Sequence, residues 1–307
     1  MGRKGRRQAV RHGYVVIDKP LGWTSHDVVA RVRGIVAERR VGHAGTLDPA
    51  ATGVLPVAVG LATRTVEYLA VADKAYRATI RFGVTTDSAD SEGDVIAETD
   101  ASGLDLAAIR LAMERFRGEI EQVPPMHSAI KVNGQRLYDL ARAGVTVEIA
   151  PRTVVIRSLE VVEWSSPHLT VDIVCSKGSY IRSLARDLGE AVSTGAHLAA
   201  LRRTRTGPFT LEQSLTLDDL VARLDNGTWD EIALPPDTVL SAMPRLDLDG
   251  KASIDWGQGK TVKGSGKVWA GSMVRAYDVD GFWRGVGLAD DAGDTVQPVK
   301  VVPGETE

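Results

Sequence analysis

One cysteine, Cys175, in a chain of 307 residues rules out an internal disulfide framework and any multi-cysteine metal site. No run approaches the roughly 18 apolar residues of a membrane-spanning helix, and no apolar stretch follows the basic start "MGRKGRRQAVRHG" to make a secretory signal. The expectation is a soluble, cytoplasmic protein. His43, His127, His168 and His197 lack any ligand spacing of the His-Glu-x-x-His kind. There is no Gly-x-Gly-x-x-Gly after a strand, no phosphate-binding P-loop, and no zinc-deaminase pattern of His/Cys ligands with a glutamate. No internal repeat or extended low-complexity tract occurs. What remains is a reaction without metal or cofactor, built on a lone carboxylate.

Charge is unevenly placed. The whole chain is net −3, but Glu212 to Glu307 holds 9 Lys/Arg against 17 Asp/Glu, leaving 28 bases against 23 acids in Met1 to Leu211. A basic body with an acidic tail points to an anionic partner for the body. With 43% hydrophobic residues, the chain can build one large domain and a smaller one.

Local patterns supply the elements. Thr24 followed by Asp27 is a capping box for a helix in "TSHDVVARVRGIVAER", with Val28, Val29, Val32, Ile35 and Val36 on its core face. "AYRATIRFGV" alternates as a strand, so Tyr76, Ala78, Ile80, Phe82 and Val84 share the inward face. "LTVDIVCSKGSYIRSLARDLGEAV" is a strand that becomes a helix at Lys177-Gly178. "PPMHSAIKVNGQRLYDLARAG" reads as an inserted hairpin and short helix closed by Gly144, and the Gly-rich part after about Asp237 reads as a small β domain.

Asp48 sits in "GHAGTLDPAATGVLPVAVG" among small and apolar residues. Asp before Pro commonly starts a turn, with Asp capping and Pro opening a helix, and that ordinary reading suffices for Asp48 taken alone. Arg182 fits its setting less well. It falls in the first turn of its helix, where a cation opposes the macrodipole, and Arg186 follows as a like charge at i+4. A cation against local preference is commonly held by an anion. The three arginines of "LRRTRTG" look suited to a phosphate backbone.

Taken together, these segments resemble the bacterial tRNA pseudouridine synthase B family. The likeness covers about 200 residues in order: "DKPLGWTSHDVV", "GHAGTLDPAATGVLPVAVGLAT", "KAYRATIRFGVTTDSADSEG", "PPMHSAIKVNGQRLYDLARAG", "CSKGSYIRSLARDLG" and "GAHLAALRRTRTGPF". The resemblance implies an α+β fold with a mainly antiparallel central sheet, flanking helices and a small C-terminal β domain of the PUA type. It implies isomerisation of a uridine in the T loop of tRNA, with no cofactor, no metal, no obligate protein partner and a monomeric enzyme.

By the same resemblance, Asp48 is the catalytic aspartate, Tyr76 packs on the uracil and moves a proton, and Arg182 pairs with the aspartate. Tyr180 and Leu201 line the uridine pocket, and His43 meets the RNA where the base is extruded. The implied organisation is a basic arm over 1–12, a catalytic domain over 13–236 with an RNA-gripping insertion at about 124–150, and a β domain over 237–307. Related synthases that work within guide-RNA complexes lack that insertion, so its presence favours a stand-alone enzyme; a tRNA-folding role can accompany catalysis. The tail departs from the family in being acidic, with Lys260, Lys263 and Lys267 as its one local basic cluster.

Overall fold

Strand alternation decides which side chains meet which layer, and the first two long strands do so on both faces. The computed structural model describes residues 11–126, 128, 131–132, 135–136, 145, 147–263 and 270–303. In chain order its main elements are β1 (Gly13–Lys19), α1 (Ser25–Val36), β2 (Ala51–Val59), β3 (Lys74–Phe82), α2 (Leu106–Met113) and β4 (Gly118–Gln122). They continue with β5 (Arg152–Ser165), β6 (His168–Cys175), α3 (Ile181–Ala191), β7 (Ala196–Thr206) and α4 (Leu217–Asn226).

The central sheet runs β1-β2-β7-β3-β6-β5-β4, with short strands Val41–His43 on β2 and Phe209–Thr210 on β7. Every neighbouring pair is antiparallel except β2 and β7, which are parallel. This is the mixed, mainly antiparallel α+β architecture that the resemblance implied.

In β1, Val15 and Ile17 pack with Val28, Val29, Val32 and Val36 of α1, while Tyr14 and Val16 join Val54, Ala58 and Phe209 on the opposite side. The capping box between Thr24 and Asp27 is formed, so α1 starts where the sequence says. Ala78, Ile80 and Phe82 of β3 meet Leu184, Ala185 and Leu188 of α3 in the largest core, with Tyr76 packed at its edge. Arg77 and Arg81 lie on the outer face, as the alternation requires. The cores place the 43% apolar content between layers, where burial at about 25 cal/mol per Å² is the main stabilising term.

The C-terminal part forms a separate four-stranded sheet of β8 (Arg245–Asp247), β9 (Met273–Tyr277), β10 (Trp283–Ala289) and β11 (Val296–Val301). It also contains a helix the sequence reading did not anticipate, α5 (Gly250–Gly257), whose Trp256 fills the small core. Leu240, Tyr277 and Trp283 pack with Leu61 and Tyr68 of the larger unit, and Lys300 pairs with Glu67 at 2.7 Å. Lys260 is matched by Asp255 at 3.2 Å, and Lys267 lies outside the described residues. Most of the 124–150 insertion, including the helix expected before Gly144, also lies outside them.

The parallel β2–β7 seam depends on Gly53. Its φ is +99°, and a Cβ there would stand 2.2 Å from the Arg203 carbonyl oxygen. Gly53→Ala is therefore expected to cost about 3 kcal/mol or more, lowering the melting temperature by roughly 6 °C or more. An unchanged melting curve would show that β2 and β7 are not held at this spacing.

Candidate active site

The seam of β2 and β7 carries the loop that leads into β2, and Asp48 sits on that loop. No helix follows Pro49; the Asp48 carbonyl accepts from the Ala51 amide at 3.0 Å and the chain enters β2 directly. Asp-Pro therefore opens a turn, as the ordinary reading has it, but caps no helix. Four groups pin the loop from below. Ser25, the first residue of α1, donates to the Leu47 carbonyl at 3.1 Å and accepts from the Leu47 amide at 2.9 Å. The Gly22 amide donates to the Pro49 carbonyl at 2.9 Å. Lys19, fully buried, donates to the carbonyls of Pro20, Trp23 and Pro49. Arg203, also buried, donates to Val54 and Gly45 at 2.7 and 3.1 Å.

Opposite the loop, α3 begins at Ile181 and projects Arg182 from its first turn. The Arg182 side chain is only 7% exposed; one nitrogen lies 3.0 Å from the Asp48 carboxylate and another 3.3 Å from Asp90. The guanidinium also donates to the Ser88 carbonyl at 3.3 Å. A cation so enclosed needs matched acceptors, because removing it from water costs several kcal/mol. Two carboxylates and a carbonyl supply them, which explains the position that helix electrostatics alone disfavours.

Asp90 is the site residue that sequence reasoning missed. It is 6% exposed and accepts from Ser88 at 2.5 Å and from the Glu92 amide at 3.1 Å. Thr86 donates to its carbonyl at 2.6 Å. In "TTDSADSEGD" it is one of several acids with no distinguishing spacing, so only the fold singles it out.

Asp48 keeps 46% of its side chain exposed, while its carboxylate stands among the protein groups Arg182, Asp90 and Lys19. Burial raises its pKa and Asp90 adds to that, while Arg182 and Lys19 pull it down. Burial lowers Lys19 to about 8. Burial, with the neighbouring His26 and Arg203, lowers His43 to about 4, so its imidazole is neutral near pH 7. His43 lies in the short strand that enters the Asp48 loop; its ring meets His26 edge-on at 5.4 Å, and its Nδ1 is buried without a protein partner among the described residues.

The remaining sequence candidates lie on adjoining elements. Tyr76, half-buried on β3, pairs in register with Arg203 on β7, and burial pushes its phenol up. Leu201 pairs with Ala51 on one side and Ala78 on the other, between the aspartate loop and Tyr76. Tyr180 precedes α3 and is bracketed by Gln122, which accepts from its amide at 2.7 Å and donates to its carbonyl at 3.0 Å. The "LRRTRTG" arginines do not form the expected phosphate-facing group. Arg203 is buried, Arg202 pairs with Asp18 at 2.6 Å, and Arg205 donates to the Gly207 carbonyl. Among the described residues no three His, Cys, Asp or Glu gather as a metal site. No helix among them is long and apolar enough to cross a membrane.

The chain as a whole is similar to known proteins. A family model described as TruB family pseudouridylate synthase (N terminal domain) matches residues 33–181, and one described as tRNA pseudouridylate synthase B C-terminal domain matches 182–241. A tRNA pseudouridine synthase B of Gloeobacter violaceus is 48% identical over 95% of this chain and 99% of its own. That of Symbiobacterium thermophilum is 51% identical over 78% of this chain and 80% of its own. Among solved structures, an archaeal box H/ACA ribonucleoprotein complex is 29% identical with a TM-score of 0.72, covering 96% of this chain and 88% of that one. An H/ACA ribonucleoprotein bound to a substrate RNA containing 2′-deoxyuridine is 26% identical with a TM-score of 0.72, covering 99% and 93%.

The two carboxylates on Arg182 should differ in what they contribute to stability. Asp48→Asn removes a half-exposed partner and leaves Arg182 paired with Asp90, so its cost should be about 1 kcal/mol or less. Asp90→Asn breaks the buried pair and should cost about 2 kcal/mol or more in urea unfolding. Equal losses would mean that Asp48 anchors the guanidinium as firmly as Asp90 does.

Proposed function

We propose that this chain, which belongs to the TruB family of pseudouridylate synthases, isomerises the T-loop uridine at position 55 of tRNA with Asp48 as its nucleophile. That it is a tRNA pseudouridine synthase follows from its family and its relatives. The choice of uridine and the residue roles are our reading; the observation that carries the roles is the Asp48–Arg182–Asp90 arrangement.

The N1–C1′ bond of uridine breaks, the uracil turns, and C5 bonds to C1′; no atom is gained. A stacked base must first leave its helix or loop, at a cost of a few kcal/mol. Tyr76, Tyr180 and Leu201 would receive it, with His43 meeting the RNA where the base is extruded. An attacking carboxylate must be ionised. Because the Asp48 pKa is raised by burial, the rate should fall as pH drops through that raised value, and Arg182 keeps the charged form populated above it.

We read residues 13–236 as the catalytic domain, working as a monomer in the cytoplasm without an obligate protein partner. The insertion at about 124–150 would grip the T arm, and 237–307 would serve as an accessory domain. The positive balance of Met1–Leu211 supports RNA contact through that part. The pocket reads a uracil that is the same at every uridine, so discrimination must come from the shape of the T arm.

Two measurements test this. Asp48→Asn should retain RNA affinity within about threefold and lose more than 99% of turnover, a loss of about 2.7 kcal/mol or more in transition-state stabilisation. Carbodiimide modification with reverse-transcription stops on a tRNA transcript reports both product and position. An isolated T-arm stem-loop should be modified nearly as well as whole tRNA. Turnover in the Asn variant, or equal modification of unstructured uridine-rich RNA, would overturn the assignment.

A further inference from the structure

Arg203 is a full positive charge at 1% exposure, and no ion pair accounts for it among the described residues. Its partners are the Val54 carbonyl on β2, the Gly45 carbonyl on the aspartate loop, and the Tyr76 hydroxyl opposite it on β3. Strand period explains the placement: Leu201 and Arg203 lie two apart on β7, beside Ala78 and Tyr76. Gly53 and Gly45 give it room, since a Cβ on Gly53 would strike its backbone and one on Gly45 would stand 3.4 Å from its guanidinium. A second buried cation, Lys74, lies beside it, so neither relieves the other. A buried guanidinium held by neutral acceptors is costly. Its retention makes sense where a neighbouring group becomes negative during the reaction, and Tyr76 is the one acceptor of the three that can ionise.

We infer that Arg203 is a positioning residue for the isomerisation, holding the Tyr76 hydroxyl and the Asp48 loop in one frame and stabilising the phenolate formed when Tyr76 gives up its proton. This rests on the function proposed above. The net reaction takes one proton from C5 of the re-attached ring and delivers one to N1. A tyrosine that donates its hydroxyl proton toward N1 and, as phenolate, takes the C5 proton balances both transfers with no outside acid or base. Burial is the main opposition to its ionisation, Arg203 favours it, and Cys175 on β6 and Asp48 on the loop add to the opposition.

The test is single-turnover kinetics on a tRNA transcript with Arg203→Lys, which keeps the charge but loses the fork that reaches all three acceptors. The expected result is a rate constant at least tenfold lower, RNA affinity within about twofold, and a rate-against-pH curve displaced to higher pH. Replacing Tyr76 with a fluorinated, more acidic tyrosine should recover at least threefold in the Arg203→Lys protein, compared with the same Arg203→Lys protein carrying ordinary tyrosine. A slowed variant with an unmoved pH curve and no recovery by fluorotyrosine would overturn the inference and leave Arg203 as scaffolding. Undiminished activity would overturn it too. A wild-type protein that makes no pseudouridine would instead overturn the proposed function itself, and this inference with it.

Discussion

The site depends on one guanidinium shared between two carboxylates. Arg182 is enclosed by protein and lies within 3.3 Å of both Asp48 and Asp90. Asp90 and the Ser88 carbonyl satisfy the enclosed guanidinium from the buried side, which makes it a fixed point against which the half-exposed Asp48 is set. The cost of misplacing a buried ion makes the distances around it a constraint on the elements that supply them. α3 must begin at Ile181, the 86–92 turn must close on Asp90, and the aspartate loop must stay at its height. Ser25, Gly22, Lys19 and Arg203 meet that last requirement through bonds to the loop's backbone.

The sheet's single parallel pair has a place in this account. β2 and β7 run side by side, so the loop before β2 and the residues of β7 open on the same end of the seam. β3 on the other side of β7 brings Tyr76 into the same neighbourhood. Three strands and one helix N-terminus thus converge on the aspartate loop. The cations beneath the loop, Lys19 and Arg203, are held mainly by carbonyl oxygens, which leaves the charge of Lys19 to act on Asp48 and that of Arg203 on Tyr76.

Much of this was legible before the fold was known. The capping box at Thr24, the inward set from Tyr76 to Phe82, and the strand-to-helix change at Lys177-Gly178 follow from periodicity and local chemistry, which tertiary packing here reinforces. Arg182 announced itself by standing where a helix dipole disfavours it. Asp90 gave no such signal, since an acid in an acidic turn looks like any solvated loop residue until the chain closes around it. Arg203 was misread with its neighbours as phosphate-facing. Its separation by two from Leu201 could have shown it pointing inward, but three arginines in five residues suggested an exposed strand. The helix around Trp256 was missed because Gly250 and Gly257 at its ends mask a short pattern.

The central claim is that Arg182 keeps Asp48 ionised within an environment that otherwise favours its neutral form. The direct measurement is the titration of the Asp48 side-chain carboxyl by carbon NMR in wild type and in Arg182→Met, with Asp48→Asn identifying the signal. The account predicts a wild-type midpoint above the roughly 3.9 of free aspartate and a higher one once the guanidinium is removed. A wild-type midpoint at or below the free value, or one that Arg182→Met leaves unmoved, would contradict it.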